Sequence, residues 1–399
     1  MTGILPPKIG VAVVGYGYWG PNLVRNLAES PDFRLRALCE LDADRQTAFA
    51  RRHPTIHVEP NFDALLVDPG IEAIAIATPP RTHHGLVRRA LEAGKHVLVE
   101  KPLATSEAHA SELVAIAGRE RLTLMPGHTF VYSPSVEKVR ELIQDGTLGD
   151  PYFITSSRMN LGIYQPDGVV CDLAPHDLSI LLHWLGEPVV QVAATGCSVF
   201  KGDVPETAFI SLKFASGTAA NIQISWLAPR KVRQMVVVGS KRMIQYEDTS
   251  ADESVRVYDR GLELSEPVNF GEYRLTHRSG DMVAPRIDAS EPLALEMRDF
   301  AHAIRSGEAP RSSAALGLEI VRAMDAAALS LKLGGAPVQV AAGSGLAGLP
   351  VPAHASAANG HANGNGHANG NGDDGANGGS GSPSSGGFGV IVPGTVSKR

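Results

Sequence analysis

The sequence predicts an α/β protein in which a doubly wound Rossmann domain is followed by an α/β domain with a large, open and mainly antiparallel sheet. Two observations predict this class. From about residue 8 to 125, short β-branched runs alternate with helix-like segments, as in parallel sheets that carry helices on both faces. After about residue 150, longer alternating strands are joined by tight turns, as in hairpins.

The first domain, predicted over residues 1–127, supplies five strands. They are GVAVVG (10–15), RLRALCE (34–40), IEAIAIATP (71–79), KHVLVEKP (95–102) and LTLMPGH (122–128). Helix-like stretches such as RTHHGLVRRALEAG (81–94) separate them. Because strand and helix alternate, we expect these strands to form one parallel sheet.

The second domain is predicted over residues 128–340. Residues 207–226 and 233–248 indicate hairpins of its sheet, and two helices follow at 291–307 and 313–335. Glycines 334 and 335 suit the end of the second helix. Part of this helical region, near 291–334, could pack back toward the first domain.

The chain ends in a tail rich in Gly, Asn and Ser, predicted to be disordered over residues 345–399. The hexapeptide HANGNG occurs twice in it, at 361 and 367. Such a segment has too little apolar surface to offset the entropy lost on ordering. Its scattered histidines, 354, 361 and 367, offer no preorganised geometry, so no metal site is expected.

Composition and charge exclude several classes of protein. The 36 Lys and Arg residues against 42 Asp and Glu residues give a net charge of −6, with no basic block to bind nucleic acid. No signal peptide and no run of about 18 apolar residues is present, so neither secretion nor a membrane span is expected. Three scattered cysteines, Cys39, Cys171 and Cys197, are typical of a reduced compartment, which predicts the cytoplasm.

A glycine motif follows the first strand. Gly15, Gly17 and Gly20 form Gly-x-Gly-x-x-Gly at the start of an amphipathic helix. The first glycine allows a tight turn, the second lets the backbone approach a pyrophosphate, and the third lets helix and strand pack closely. The helix N-terminus then faces the anion, which predicts a dinucleotide cofactor.

An acidic residue stands where such a cofactor places its adenosine ribose. Glu40 lies at the end of the second strand, where its carboxylate can accept hydrogen bonds from the ribose hydroxyls. Because a carboxylate there repels a 2′-phosphate, NAD is favoured over NADP. Arg45 could weaken that preference, and Asp42 is an alternative ribose ligand.

Polar or special residues end four of the predicted strands. They are Gly15, Glu40, Thr78 with Pro79, and Glu100 with Lys101. The carboxyl ends of parallel strands share one edge, so these residues are predicted to line the cofactor crevice. The Lys101 ammonium could face the nicotinamide there, although a surface lysine at a strand end would look the same.

Five motifs resemble, in order, those of the Gfo/Idh/MocA family of nicotinamide-dependent oxidoreductases, over about residues 8–340. They are GVAVVGYGYWGPNLVRN, ATPPRTHHGLV, VLVEKPLA, PGHTFVYSP and DLAPHDLSILLHWLG. The resemblance implies that Lys101 is catalytic and contacts the cofactor, and it assigns Tyr18, Trp19 and His83 to the cofactor site. It also implies an oligomer built through the open sheet, a homodimer or homotetramer.

The last motif contains two candidate catalytic residues. Asp172 and His176 are four apart at the head of a predicted helix, hence on one face. The same pattern would arise from a first-turn acid and a packed histidine, but the family pattern matches a Lys/Asp/His catalytic set. His176 suits the base that takes a proton from an alcohol, and Lys101 would lower its pKa and stabilise the alkoxide. Asp172 would orient the imidazole or bind an adjacent hydroxyl, so all three residues are predicted to contact the substrate. His183 fits better as helix packing.

The substrate is predicted from the segment SSRMNLGIYQPDGVVCDLAPHD. It resembles the branch acting at carbon 3 of nucleotide-activated sugars, UDP-N-acetylglucosamine or its uronate. Arg158 would bind a carboxylate or phosphate and Asn160 a hydroxyl or amide group, unless Arg158 belongs to a structural ion pair. Alternatives are an inositol or free-sugar dehydrogenase and a non-catalytic dinucleotide sensor.

Overall fold

The computed structural model describes residues 6–162, 164–200, 204–265 and 274–341. The first sheet has six parallel strands in the order β3-β2-β1-β4-β5-β6, the doubly wound arrangement that the sequence predicted. Its strands are β1 Ile9–Val14, β2 Phe33–Cys39, β3 His57–Val58, β4 Ala73–Ile76, β5 His96–Glu100 and β6 Leu124–Gly127. The two-residue β3 was not predicted, since it is too short to show a strand period.

Helices flank this sheet and close its core. They are α1 Gly20–Glu29, α2 Ala43–Arg52, α3 Phe62–Val67, α4 His83–Glu92 and α5 Glu107–Glu120. The register places Val14 beside Cys39 and Ile76, and Ile76 beside Val99. The carboxyl ends of β1, β2, β4 and β5 therefore lie at one edge, where the cofactor crevice was predicted.

The second sheet has nine strands in the order β14-β13-β12-β11-β7-β10-β9-β8-β15. They are β7 Pro151–Met159, β8 Val189–Cys197, β9 Thr207–Phe214, β10 Ala219–Ser225, β11 Val232–Gly239, β12 Met243–Glu247, β13 Val255–Ser265, β14 Arg274–Val283 and β15 Val338–Gln339. Among the described strands of this sheet, β7 and β10 pair in parallel and the other pairs are antiparallel, so the sheet is mainly antiparallel, as predicted. Both predicted hairpins are present, as β9–β10 and β11–β12.

In the described ranges, helices pack against one face of this sheet. They are α6 Pro134–Gln144, α7 Gly168–Leu185, α8 Pro292–Ser306 and α9 Ala314–Lys332. Along β9, Ile210 and Leu212 are buried beneath the helices while Phe209 is 43% exposed. Phe153 of β7, opposite in parity to the buried Ile154, is 44% exposed on the other face, so that face carries aromatic side chains outward.

The last two long helices contact the first domain as well as the second sheet. Leu318 and Val321 of α9 share a buried cluster with strands β4 and β5. Arg322 Nε donates to Glu107 at the start of α5 at 2.8 Å. Glu291, which precedes α8, accepts a hydrogen bond from Asn26 of α1 at 3.2 Å. These contacts tie the two sheets into one contiguous structure.

The positive φ angles of Gly334 and Gly335, +67° and +95°, follow the end of α9, as the sequence predicted. The predicted disordered tail at 345–399 lies outside the described residues. Among the helices of the described ranges, none is long and apolar enough to cross a membrane.

Candidate active site

The glycine loop has the geometry that an anion cradle needs. Gly15 has a φ of +96°, and a Cβ there would lie 2.6 Å from Ala77 O. A Cβ on Gly20 would overlap the Gly15 carbonyl, whereas one on Gly17 would meet only Arg45 Nη1, at 3.6 Å. Helix α1 begins here with no side-chain cap and no acidic residue in its first turn. Pro21 has no N–H and Asn22 N donates to Trp19 O at 2.9 Å, which leaves the N–H of Gly20 to meet an anion at this end of the helix.

The structure gives Glu40 a role that the sequence did not predict. One carboxylate oxygen accepts from Tyr16 N at 2.7 Å, and the other accepts from Leu41 N at 2.8 Å and Asp42 N at 3.0 Å. The side chain is 8% exposed, so it fastens the glycine loop to the end of β2. Asp42 caps α2 by accepting from Asp44 N and Arg45 N. A ribose contact by Glu40 would have to share its carboxylate with these backbone donors.

His83, which was predicted to contact the cofactor, has no exposed surface in this structure, and its cofactor contact stays a prediction. The ring is fully buried, with Nδ1 2.8 Å from Pro102 O and Nε2 2.9 Å from Thr78 O. Burial lowers the pKa of His83, so the neutral ring has one N–H and donates to one of these two backbone carbonyls. His83 instead fixes the segment that follows Lys101 against the end of β4, where Thr78 and the exposed Pro79 face the crevice.

An ion pair joins the two domains at the predicted catalytic residues. Lys101 Nζ lies 3.1 Å from Asp172 Oδ1 and donates to the Asp172 backbone oxygen at 2.7 Å. The indole of Trp226, at the end of β10, donates to Asp172 Oδ2 at 3.0 Å. Lys101 and Asp172 are 19% and 29% exposed, so both reach solvent in the crevice. The Asp172 carboxylate therefore fixes the Lys101 ammonium, and the Trp226 indole fixes that carboxylate.

His176 lies one helical turn beyond Asp172 in α7 and is half-buried. Phe130, in the short 3₁₀ turn Thr129–Tyr132, meets the imidazole edge-on with ring centroids 5.1 Å apart. Burial lowers the pKa of His176 well below its ordinary value, and the nearby Lys101 ammonium lowers it further. The imidazole is therefore neutral at neutral pH, the form in which it accepts a proton.

The carboxyl group beside Lys101 in sequence differs from Asp172 in its surroundings. Burial raises the pKa of Glu100 to about 8, while Lys101 and the Trp19 indole oppose that shift. Glu296 of α8 is fully buried near it, and its pKa is raised well above the ordinary value by burial and by Glu100. Two neighbouring buried carboxyls favour the neutral form. The carboxylate that balances Lys101 is thus that of Asp172.

Two further predicted cofactor residues flank the glycine loop. Trp19 is partly buried, and Tyr18 is 89% exposed beside it. A large aromatic ring so exposed next to the cradle is compatible with a cofactor contact. The cofactor roles of both residues remain predictions.

The prediction that Arg158 binds substrate directly does not agree with its burial. Arg158 is 4% exposed on the inner face of β7, in the middle of the sheet. Its Nε donates to both Asp177 oxygens at 3.0 Å, and its guanidinium stacks 4.5 Å from the Phe130 ring centre. Arg158 therefore packs behind Phe130 and forms a structural ion pair with Asp177, which was the alternative to substrate binding in the sequence analysis. Asn160, two residues on, is partly exposed.

Sequence reasoning missed four residues of this wall. Three of them are Trp226, which donates to Asp172, Phe130, which contacts His176, and Arg233, which stacks on Phe130. The fourth is His128, which is 1% exposed and has no hydrogen-bond partner for either ring nitrogen among the described residues. Burial and Lys101 lower the pKa of His128 to about 3. The motif PGHTFVYSP contained His128 and Phe130, but nothing in it distinguished them from core residues.

The described geometry can be compared with known proteins. A model of the Gfo/Idh/MocA oxidoreductase family, with an NAD-binding Rossmann fold, matches residues 9–128. A model of the GFO/IDH/MocA C-terminal domain matches residues 136–245. The two matches follow one another along the chain and together span more than half of it.

Individual relatives are distant. The UDP-N-acetylglucosamine 3-dehydrogenase of Acidithiobacillus ferrooxidans is 29% identical over 208 residues, which cover 51% of this chain and 62% of that protein. The myo-inositol 2-dehydrogenase of Thermotoga maritima is 26% identical over 247 residues, covering 59% and 74%. The crystal structure of GenD2 from gentamicin A biosynthesis, in complex with NAD, superposes with a TM-score of 0.71 at 24% identity, covering 85% of this chain and 100% of that one.

Proposed function

This chain belongs to the Gfo/Idh/MocA family of NAD-binding oxidoreductases, and from that premise we propose that it oxidises a secondary alcohol of a sugar to a ketone. One observation carries the proposal: the Lys101–Asp172 ion pair fixes an ammonium at the carboxyl edge of the Rossmann sheet. His176 lies one helical turn beyond Asp172 in α7. A cation, a neutral base and a dinucleotide cradle then meet in one crevice. Alcohol oxidation by a dinucleotide requires a hydride acceptor and a base, and a cation stabilises the developing alkoxide.

The residues divide the reaction as follows. Bound NAD supplies the hydride acceptor. The neutral His176 imidazole takes the hydroxyl proton, and the Lys101 ammonium stabilises the negative charge that develops on the substrate oxygen. Asp172 holds the ammonium in place, and Trp226 holds Asp172. His83 positions the backbone that follows Lys101.

For the substrate we propose carbon 3 of a nucleotide-activated sugar, UDP-N-acetylglucosamine or its uronate. The relative from Acidithiobacillus ferrooxidans supports this choice by its name and its 29% identity. An inositol is the second candidate, because the relative from Thermotoga maritima matches a larger share of the chain at 26% identity. Both substrates would use the same three catalytic groups.

The experiment that tests the reaction is a substrate panel. The protein is offered NAD with UDP-sugars, sugar phosphates and inositols, with and without 2-oxoglutarate as a hydride acceptor, and ketones are identified by mass spectrometry. We expect a 3-keto sugar from a UDP-sugar. A protein that binds NAD but oxidises no member of the panel would instead support the non-catalytic sensor.

We also propose that the protein forms a homodimer or homotetramer through the outer face of the second sheet. Phe153 and Phe209 expose 44% and 43% of their surface on this face. Aromatic side chains concentrated on an uncovered sheet are typical of a protein interface.

A further inference from the structure

Arg233 is a partly exposed cation on the wall of the crevice. It lies on β11 with the same face parity as the buried Met235 and Val237, so its side chain is on the helix-covered face of the sheet. Its guanidinium stacks 5.5 Å from the centre of the Phe130 ring, and that ring is in contact with His176. One aromatic ring thus separates Arg233 from the base.

Arg233 and Arg158 stand directly opposite each other in the register of β11 and β7. Both guanidiniums stack on Phe130, so two like charges lie side by side. Each has its own carboxylate: Asp177 for Arg158 and Asp248, whose Oδ2 lies 2.7 Å from Arg233 Nη1. Cross-strand pairs of like charge repel each other, so an additional anion bound at this point would reduce that repulsion.

The two arginines differ in their access to a ligand. The side chain of Arg158 is 5% exposed and that of Arg233 is 32% exposed. Among the described residues, Arg233 donates only through Nη1, which leaves Nε and Nη2 without acceptors. Behind it, Arg158 Nη1 is buried with no partner in the described part of the chain. Unused donors therefore converge near Phe130, and a guanidinium can bind an anion in bidentate fashion.

We propose that Arg233 determines specificity by binding an anionic oxygen group, a carboxylate or a phosphoryl group, carried on the sugar ring that is oxidised. The inference rests on the proposed function and names its substrate class as an acidic sugar. The anion must be close to the reacting carbon, because Arg233 and His176 both contact the Phe130 ring, at 5.5 Å and 5.1 Å from its centre. Asp248 holds the guanidinium in place until the anion shares its donors.

The test measures binding separately from turnover. Calorimetry with the NADH-saturated protein compares two matched pairs of ligands: UDP-N-acetylglucosamine with its uronate, and N-acetylglucosamine with its 6-phosphate. Each pair differs by one anionic group. Preference for the acidic member of the first pair identifies a carboxylate, and preference within the second identifies a phosphoryl group.

Arg233→Gln should weaken binding of the preferred acidic ligand about 10- to 100-fold, and that of its neutral partner less than about twofold. Arg256→Gln is the matched control, since the Arg256 side chain is 22% exposed and also paired with carboxylates. Its neighbours Val255 and Val257 are buried on the helix-covered face, so Arg256 itself lies on the opposite face of the sheet. Asp248→Asn removes the competing carboxylate and should tighten the acidic ligand. It also provides a second test should Arg233→Gln fail to fold.

Three results would overturn the inference: a wild-type protein without preference in either pair, an equal loss of acidic and neutral ligands in Arg233→Gln, or weaker acidic binding in Asp248→Asn. Because the readout is binding, these results are independent of turnover. A protein that prefers the acidic ligand yet oxidises neither would refute the proposed reaction while supporting Arg233.

Discussion

Replacing Asp177 by Asn should destabilise the protein severely, because Asp177 is the counter-ion of a buried arginine. Arg158 and Asp177 are 5% and 2% exposed, and Arg158 Nε donates to both carboxylate oxygens at 3.0 Å. The substitution removes the charge and keeps the shape. The guanidinium then stays buried against Phe130 and loses the carboxylate charge that faces it, while the amide oxygen can still accept from Nε.

The expected magnitude follows from that burial. Removing one partner of a buried ion pair costs about 3–5 kcal/mol, since the remaining charge stays desolvated. A typical domain has only about 5–15 kcal/mol of stability, so the loss would be a large share of it. Glu92→Gln is the control, because the Arg88–Glu92 pair is 48% and 44% exposed and should contribute little.

The assay is urea unfolding followed by tryptophan fluorescence, since Trp184 and Trp226 both lie in the same domain as the pair. The Asp177→Asn midpoint should fall well below that of the wild type, and the Glu92→Gln midpoint should stay within error of it. Equal midpoints for the two variants would show that Arg158 is not held by Asp177. Arg158 would then again be a candidate for direct substrate binding.

Three further predictions concern the cofactor, the pH profile and assembly. Gly20→Ala should weaken NAD binding by about tenfold or more, because the added Cβ overlaps the Gly15 carbonyl. Gly118→Ala is the control, since the space around Gly118 is open, and it should leave NAD binding unchanged. Equal dissociation constants for the two variants by calorimetry would contradict this prediction. The lowered pKa of His176 keeps the imidazole neutral below about pH 6.5, so kcat/KM should not fall by half as the pH drops to about 6.5. A half-maximal kcat/KM at about pH 6.5 would argue against His176 as the base. Phe209→Lys should reduce the oligomer to smaller species in sedimentation velocity, and a monomeric wild type would refute the interface.

The Rossmann part of the fold was predictable because its signals are local. The glycine motif, the alternation of strand and helix and the polar strand ends all fall within short windows of sequence. The structure confirms the parallel sheet, and the family match confirms NAD binding. The hairpins of the second sheet were equally local, but the order of its strands is not written in any window.

The errors come from contacts between distant segments. Arg158 and Arg233 both lie on strands with alternating burial, but only the register and the position of α7 show which of them is covered. His83 lies in a motif typical of the family, yet its ring is fully buried between the backbone carbonyls of Pro102 and Thr78. The Lys101–Asp172 pair spans 71 residues, and only the resemblance suggested it.

The most direct test of the proposed reaction is the rate of NADH formation by His176→Ala in a single turnover, with NAD affinity measured on the same sample. Lys101→Ala provides the parallel measurement for the ammonium. We predict that each variant binds NAD with a dissociation constant close to that of the wild type and loses most of its turnover. Near-normal NADH formation by His176→Ala would contradict the account, because the proton would then be taken by another group.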